Sequence, residues 1–425
     1  MFRPSGDDEK VTPFPTTPDT ATTPSRRHQS FRYLTEDVVA PPMELVDESA
    51  RVSTLDLGLD DAQEARAAEL TRSCVVISLH DHPQILPTDL TRLREYFRHG
   101  RPQTAYSELH KAGITAVFDN LQANLGIVSR SGRKWDDVVA ALGLQIADID
   151  HQPLAVVARS VSDILRAHQD GKTAFVLGME SAHAIENEVD RIDILYGLGI
   201  RQMGIAYSDS NALGSGLKEV NDGGLTALGR RAVSRMNDIG IAIDVSHSSD
   251  RTGLDTIEVS EKPVFITHAG ARGVWPSPRM KPDELLKACA ESGGVMGITA
   301  SPHQTISPAH TRHTLESVMD HFSYAIDIMG IEHVAFGPDT MFGDHVALHG
   351  VLGLNTPEII SPPGAPSAPT VKFVDGAENP AEFFVNAMRW LVKHGFSDEE
   401  IQAVMGGNIL KALERVWISD DSSRG

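Results

Sequence analysis

From about residue 60 onward, short runs of apolar residues alternate with amphipathic stretches. Within the runs the hydrophobic residues are continuous, which is typical of strands that are covered on both faces in a parallel sheet. We predict eight strands, at residues 74–82, 113–120, 173–180, 200–207, 241–247, 263–268, 294–300 and 333–339. Between the fourth and fifth predicted strands, residues 225–240 have apolar positions at helical spacing. They predict a helix that Gly240 can end. Eight strand and helix units of this size predict an α/β fold, a (β/α)8 TIM-type barrel.

Two amphipathic stretches follow the last predicted strand, at residues 380–396 and 397–417. The second begins with Ser397 and has Glu400 three residues later, which is the spacing of a capping box. We expect these C-terminal helices to close the barrel wall or to support a dimer interface.

The N-terminal segment is rich in Pro, Thr and Ser and has no hydrophobic periodicity. Such a composition buries too little apolar surface to offset the entropy lost on ordering. We assign residues 1–50 to a mobile arm and residues 51–425 to the barrel domain. An arm that binds a partner subunit is the alternative.

Composition narrows the range of partners. The chain of 425 residues has 38 Lys and Arg against 58 Asp and Glu, a net charge of -20, which argues against nucleic acid or an anionic membrane as a partner. Cys74 and Cys289 are the only cysteines, too few for a disulfide framework or a thiolate metal motif. The sequence has no signal-peptide pattern and no apolar stretch of the roughly 18 residues that a membrane span needs. We therefore expect a soluble, cytoplasmic protein.

Potential metal ligands stand where five of the eight predicted strands end. They are His80 and His82, Glu180, His247, His268 and Asp339. In a barrel the carboxyl ends of all strands open on one face, which carries the active site, so these residues should converge. Because side chains alternate along a strand, His80 and His82 point the same way and Asp81 the other, where it has a supporting role.

Imidazole and carboxylate ligands without thiolate favour Zn, Co, Mn or Fe over Ca or Mg. Six ligands are too many for one tetrahedral ion with an open position, but they suit two divalent ions that share a carboxylate. Two ions about 3.5–4 Å apart acidify a shared water and polarise a carbonyl, which indicates hydrolysis of an amide-like bond. Any one such His, taken alone, is more often a core or loop residue. The chain has no nucleophile elbow, Walker loop or dinucleotide-binding motif that would indicate other chemistry.

The chain resembles the renal (membrane) dipeptidases of the metal-dependent amidohydrolase superfamily from about residue 60 to residue 417. The resemblance rests on "ISLHDHP", "GMESAHAI", "YGLGIRQMGIAYSDSNAL", "GLTALGRRAVSRMNDIGIAIDVSHSS", "KPVFITHAGARGV", "GIEHVAFGPD" and "GGNILKALERV". It implies that Glu180 bridges two zinc ions, with His80, residue 82 and Asp339 on one ion and His247 and His268 on the other. It also implies that Asp339 transfers a proton to the leaving amine, that Arg279 binds the substrate carboxylate, and that the protein forms a homodimer. A helix-surface position is the alternative for Arg279.

Two positions depart from the family pattern. Position 82 is His where the family usually has Asp, so an anionic ligand becomes neutral and the metal pair carries more positive charge. Tyr207 replaces a His that contacts the substrate and stabilises the oxyanion, and its hydroxyl donates one neutral hydrogen bond. The loop at residues 340–378 lacks the family's Asp-Phe-Asp-Gly continuation and is our first candidate for substrate selection. His345 and His349 in this loop either contact the substrate or are solvated.

We therefore predict a binuclear zinc-dependent hydrolase of the dipeptidase type, acting on a dipeptide or a similar small amide. One alternative is a divergent amidohydrolase that acts on a non-peptide amide, a carbamate or a lactone. The other is a metal-binding relative without catalytic activity.

Overall fold

The structure is a computed structural model that describes residues 29–35, 43–51, 55–120, 133–302, 304–352, 361, 364 and 371–418. Residues 1–28 and 36–42 of the predicted arm lie outside these ranges. The described parts of that segment lie against the barrel domain: Phe31 is 2 % exposed and donates its N–H to Asp148, and Leu45 pairs with Pro87. The division of the chain at residue 50 stays a prediction.

A parallel barrel of strands forms the centre of the described chain. Its strands are β1 Val76–Asp81, β2 Ile114–Asn120, β3 Ala155–Ala158, β4 Thr173–Met179, β5 Gln202–Gly204, β6 Ala242–Asp244, β7 Val264–Ala269, β8 Met296–Ile298 and β9 Val334–Phe336. The hydrogen-bonded order is β1-β2-β4-β5-β6-β7-β8-β9, and β9 returns to contact β1, so the barrel is nearly closed. All eight predicted strands are present, which confirms the TIM-type fold. Six of the eight predicted strands end one to three residues earlier than predicted, whereas β2 ends at Asn120 as predicted and β7 continues to Ala269.

The prediction of eight strands is short by one, since β3 also belongs to the sheet. It pairs with the amino-terminal half of β4, from Ala155 opposite Thr173 to Ala158 opposite Val176. The other half of β4 pairs with β5 through Gly178 and Met179. The sequence of β3, AVVA, is as apolar as those of the other strands, but its two central residues are only partly buried and β3 pairs only with β4, beside the closed path of the barrel.

Helices surround the barrel. Those described are α1 Asp61–Ser73, α2 Leu93–Arg98, α3 Tyr106–Lys111, α4 Trp135–Ile149, α5 Val161–Gln169, α6 Arg191–Gly197, α7 Ala227–Ile239, α8 Asp250–Val259, α9 Asp283–Glu291, α10 Leu315–Met329, α11 His345–Leu352, α12 Pro380–Lys393, α13 Asp398–Gln402 and α14 Asn408–Val416. In α7 the Thr226 side chain caps the first turn, and Gly240 ends the helix in the left-handed conformation, as predicted. No helix in the described ranges is both long and apolar enough to cross a bilayer.

The last predicted helix, 397–417, is divided. Ser397 and Glu400 form the predicted capping box at the start of α13. A π-helical segment, Ala403–Gly407, then separates α13 from α14. A Cβ on Gly406 would lie 2.2 Å from the carbonyl oxygen of Val75, so glycine lets this segment approach the start of β1. Phe383 of α12 packs edge-on against Phe336 of β9 with ring centroids 5.3 Å apart, so the C-terminal helices close the barrel wall.

Candidate metal centre

Side chains from five strand ends meet at the carboxyl end of the barrel. Nε2 of His80 lies 3.8 Å from Oε1 of Glu180 and 3.5 Å from Oδ1 of Asp339. Nε2 of His82 lies 3.1 Å and 3.5 Å from the same two oxygen atoms. His80, His82, Glu180 and Asp339 therefore surround one small space.

A second group lies on the other side of Glu180. Nε2 of His247 is 3.5 Å from Oε2 of Glu180 and 2.9 Å from Nε2 of His268. Oε1 of Glu180 thus faces His80 and His82, and Oε2 faces His247, which in turn contacts His268. The structure brings all six predicted ligands together, and one carboxylate is common to both groups.

The residues present fit two cations. The ligand atoms of His80, His82 and Glu180 lie within 4.8 Å of one another, as do those of Glu180, His247 and His268. Nε2 of His80 is buried and has no hydrogen-bond partner among the described residues, although two carboxylates face it. A buried polar atom in this state is costly unless another group binds it. The nitrogen and oxygen donors without thiolate suit zinc and similar ions.

Local backbone geometry presents the two carboxylates to the site. Glu180 follows β4 directly, and a Cβ on Gly204 of β5 would lie 1.9 Å from the Glu180 carbonyl oxygen. Only glycine allows β5 to lie this close to the bridging position. Asp339 follows β9 by three residues and has a left-handed φ of 57°. Its N–H donates to the carbonyl of His80, which fixes the turn above β1.

Asp81 has a supporting role on the opposite side of β1 from the two histidines. Its Oδ1 accepts hydrogen bonds of 2.9 Å from both the N–H and the hydroxyl of Thr340, and its Oδ2 accepts one from Ser78. Burial raises the pKa of this carboxyl to about 7, although these hydrogen bonds act in the opposite direction. Asp81 thereby ties the end of β1 to the residue after Asp339.

Three residues that we did not predict contact the Nδ1 atoms of the ligand imidazoles. Asn120 contacts Nδ1 of His80 at 2.7 Å, Thr267 contacts Nδ1 of His268 at 2.9 Å and Ser208 contacts Nδ1 of His247 at 3.2 Å. Such contacts orient a metal-binding imidazole and set its tautomer. Amides and hydroxyls are not typical zinc ligands, so the residue types alone did not indicate these three positions. The available signal was their location in the sequence: Asn120 ends β2, Thr267 precedes His268, and Ser208 follows Tyr207.

The two groups differ in their electrostatics. Burial raises the pKa of Glu180, but the hydrogen bond and charge of His82 outweigh it and lower that pKa to about 2. Burial lowers the pKa of His82, but Glu180 and Asp339 outweigh it and raise that pKa to about 9. Burial, with the nearby Arg279, holds the pKa of His247 well below its usual value, and burial with the nearby His80 does the same for His268. The carboxylates of the first group thus favour positive charge at His82, whereas burial disfavours it at His247 and His268.

The two predicted substrate-binding residues lie beside the second group. Arg279 is 2 % exposed and donates to the carbonyls of Ser246 at 3.2 Å and His268 at 2.9 Å, so it is not a helix-surface arginine. The ring of Tyr207 stacks on that of His247 with centroids 4.1 Å apart. The guanidinium of Arg133, which we did not predict, lies 4.1 Å from the Tyr207 ring centroid.

Part of the predicted loop at 340–378 is helical. Residues 353–360, 362, 363 and 365–370 lie outside the described residues, whereas α11 occupies its first part. His345 is 4 % exposed, and its ring centroid lies 6.4 Å from that of His82. His345 is thus buried over the centre and is not a solvated loop residue.

The chain is similar to known proteins that are described as dipeptidases. Dipeptidase 3 of Homo sapiens is 25 % identical over 385 residues, which cover 87 % of this chain and 70 % of that protein. Dipeptidase tcpJ of Claviceps purpurea is 27 % identical over 271 residues, or 63 % of this chain. The match spans only 57 % of tcpJ, less than two thirds of that relative.

Solved structures show the same barrel. An amidohydrolase from Pseudomonas aeruginosa superimposes with a TM-score of 0.68 at 26 % identity, covering 83 % of this chain and 99 % of that one. A metallopeptidase from Rhodobacter sphaeroides, solved with a phosphinate mimic of L-Ala-D-Ala, shares the fold with a TM-score of 0.61 at 20 % identity, covering 81 % and 99 %.

The match to a family covers more than half of the chain. Residues 64–351 match the family described as membrane dipeptidase, peptidase family M19, and they include all six clustered ligand residues. The resemblance found in the sequence is thereby confirmed, and so is the association with a metal-dependent family of hydrolases. The chain belongs to the membrane dipeptidase family, peptidase family M19.

Proposed function

We propose that the protein is a binuclear, zinc-dependent hydrolase that cleaves the amide bond of a dipeptide or a similar small substrate with a free carboxylate. The observation that carries the proposal is the position of Glu180, whose two oxygens face imidazoles of two separate ligand groups. The relatives named as dipeptidases support it, as does the neighbouring fold solved with a dipeptide mimic. Zinc is our first choice, with cobalt, manganese and iron as alternatives.

When bound, two divalent ions acidify water and polarise a carbonyl oxygen. His80, His82 and Asp339 would hold one ion, His247 and His268 would hold the other, and Glu180 would contribute to both sites. Asp339, whose Oδ1 lies 3.5 Å from both first-group imidazoles, would take the proton that the attacking water releases and deliver it to the leaving amine. Arg279 binds the substrate carboxylate, and Tyr207 donates a hydrogen bond to the developing oxyanion.

The test is hydrolysis of a panel of L,L and L,D dipeptides by the protein loaded with zinc or cobalt. We expect turnover that chelation and Asp339→Asn both abolish, while Asp327→Asn, a change of an exposed residue on α10, preserves it. Negligible turnover of every dipeptide would refute the proposal. If turnover is absent although two ions are bound, the non-catalytic alternative gains support.

A second candidate function is hydrolysis of a non-peptide amide, a carbamate or a lactone. The observation that favours it is the pair of departures at the centre itself: His82, 3.1 Å from Glu180, and Tyr207, stacked on His247. Both change the charge or shape of groups that face the substrate. Adding these three compound classes to the dipeptide panel separates the two functions.

Two further expectations from the sequence stay predictions. They are the cytoplasmic location and the homodimer. Cell fractionation checks the first, and light scattering on the purified full chain checks the second.

A further inference from the structure

Helix α11 carries two imidazoles toward the metal centre. His345 and His349 are four residues apart, which places them on the same face of the helix, and their ring centroids are 4.5 Å apart. The His345 ring in turn stands edge-on to that of His82 at 6.4 Å. The three rings form a row from the first ligand group to the helix above it.

His349 extends the row of rings away from His82. Its side chain is partly exposed, and its ring lies 4.5 Å from that of His345, which is itself 6.4 Å from the ring of His82. His349 therefore stands at the edge of the space beside the first ligand group. A neutral imidazole there offers one hydrogen-bond donor and one acceptor.

The rest of α11 is fixed in place. Leu348 and Val351 pack with Leu86, Leu93, Tyr96 and Phe97 in a separate apolar cluster. Asp344 caps the helix, since its Oδ1 accepts the N–H of Ala347 at 2.9 Å. The two histidines therefore stand on a rigid element, as a selective binding site requires.

Arg279 and helix α11 lie beside different ligand groups, so they define an orientation for the substrate. Arg279 is anchored on the carbonyls of Ser246 and His268, beside the second ligand group. Helix α11 lies beside the first group, next to His82. A substrate whose carboxylate binds Arg279 and whose amide lies between the groups extends its acyl side toward α11.

We propose that His345 and His349 form a polar subsite for the acyl side of the substrate. This subsite selects acyl residues with a hydrogen-bonding side chain over alkyl residues of the same shape. The inference rests on the proposed function and adds the substrate class to it. A site that hydrogen-bonds a substrate group discriminates against the analogue that lacks it, because the hydrogen bond to the substrate is then missing.

The experiment compares isosteric substrates: Thr-Ala with Val-Ala, and Asn-Ala with Leu-Ala. We expect the wild-type protein to favour the polar member of each pair by about 10-fold or more in kcat/KM. His349→Leu should bring this ratio to about one or below, while His349→Asn, which keeps a donor and an acceptor, should retain most of it. His110→Leu, a change at an exposed histidine of α3, is the matched control and should leave the ratio at its wild-type value.

Metal content is measured for every variant, so that a lost ion is not mistaken for lost selectivity. A wild-type protein that hydrolyses both members of each pair equally, or a ratio that His349→Leu does not change, would overturn the inference. Absence of dipeptide hydrolysis by the metal-loaded wild type would overturn the proposed function and the inference with it.

Discussion

Nδ1 of His80 lies 2.7 Å from the side-chain amide of Asn120, the last residue of β2. On the other side of the ring, Nε2 is buried and without a hydrogen-bond partner in the described part of the chain. An imidazole that offers Nε2 to a cation carries its proton on Nδ1. That proton needs an acceptor, so binding of a cation at Nε2 requires Asn120 to turn its amide oxygen to His80 in place of the amide nitrogen that lies there in this structure.

Asn120→Ala should therefore weaken metal binding without removing a ligand. We expect a loss of about 10- to 100-fold in affinity, the usual effect of removing such a support. Competition with a chromogenic chelator measures it. Asn237→Ala, at a buried asparagine of α7 that donates to the carbonyl of Val233, is the control for a merely structural effect. Equal affinity of the two variants would contradict the role given to Asn120.

Glu180→Gln should lower the metal content of both groups. The change removes the negative charge that faces His82 at 3.1 Å and His247 at 3.5 Å. We expect about two ions per chain in the loaded wild type and less than one in the variant, because both sites lose an anionic ligand. Elemental analysis after gel filtration gives the count. Glu188→Gln, a change of an exposed carboxylate nearby in the chain, is the control and should retain both ions. If Glu180→Gln also retains both ions, Glu180 is not a ligand shared by the two sites.

Arg279→Met should remove the preference for a free carboxylate. The readout is the ratio of kcat/KM for a dipeptide to that for its C-terminal amide, which cancels effects on the metal centre itself. A hydrogen bond to a charged group contributes about 1.5–3 kcal/mol, so we expect the ratio to fall about 10- to 100-fold. Arg272→Met, at an arginine of the same loop that pairs with Asp250, should change it little. An unchanged ratio in Arg279→Met would remove Arg279 from the substrate site.

His321 should make the protein less stable in mild acid. Its Nδ1 accepts the N–H of Ala271 and its Nε2 donates to the carbonyl of Ile306, so the buried ring is neutral. Burial lowers its pKa from 6.5 to about 4. Between these values the unfolded chain binds the proton and the folded one does not, so the free energy of unfolding falls as pH falls from about 6.5 to 4. The loss is on the order of 3 kcal/mol.

Urea denaturation of wild type and His321→Gln at several pH values tests this. The variant should be the less stable protein at pH 7.5, because it loses two buried hydrogen bonds, and the difference should shrink toward pH 4.5. His110→Gln, a change of an exposed histidine, should follow the wild type throughout. A difference that does not depend on pH would show that His321 does not carry this acid sensitivity.

The ligands could be predicted from the sequence because each stands at the end of a long apolar run. Closure of the barrel then brings His80 close to Asp339. Their neighbours Asp81 and Thr340 hydrogen-bond although 259 positions separate them in the sequence. The hydrophobic pattern did not reveal three other features. β3 is an apolar segment like the other strands but pairs only with β4, beside the closed path of the barrel. Asn120 is an ordinary amide, and the position of α11 depends on an apolar cluster assembled from distant segments.

One edge of β4 is divided between two neighbours. β3 holds the part from Thr173 to Val176, and β5 holds Gly178 and Met179 next to Glu180. A substitution in β3 therefore acts on the barrel at the amino-terminal half of β4, while the pairing with β5 still holds the residues that precede Glu180. Changes that alter stability and changes that alter the site can thus be made at separate parts of one strand.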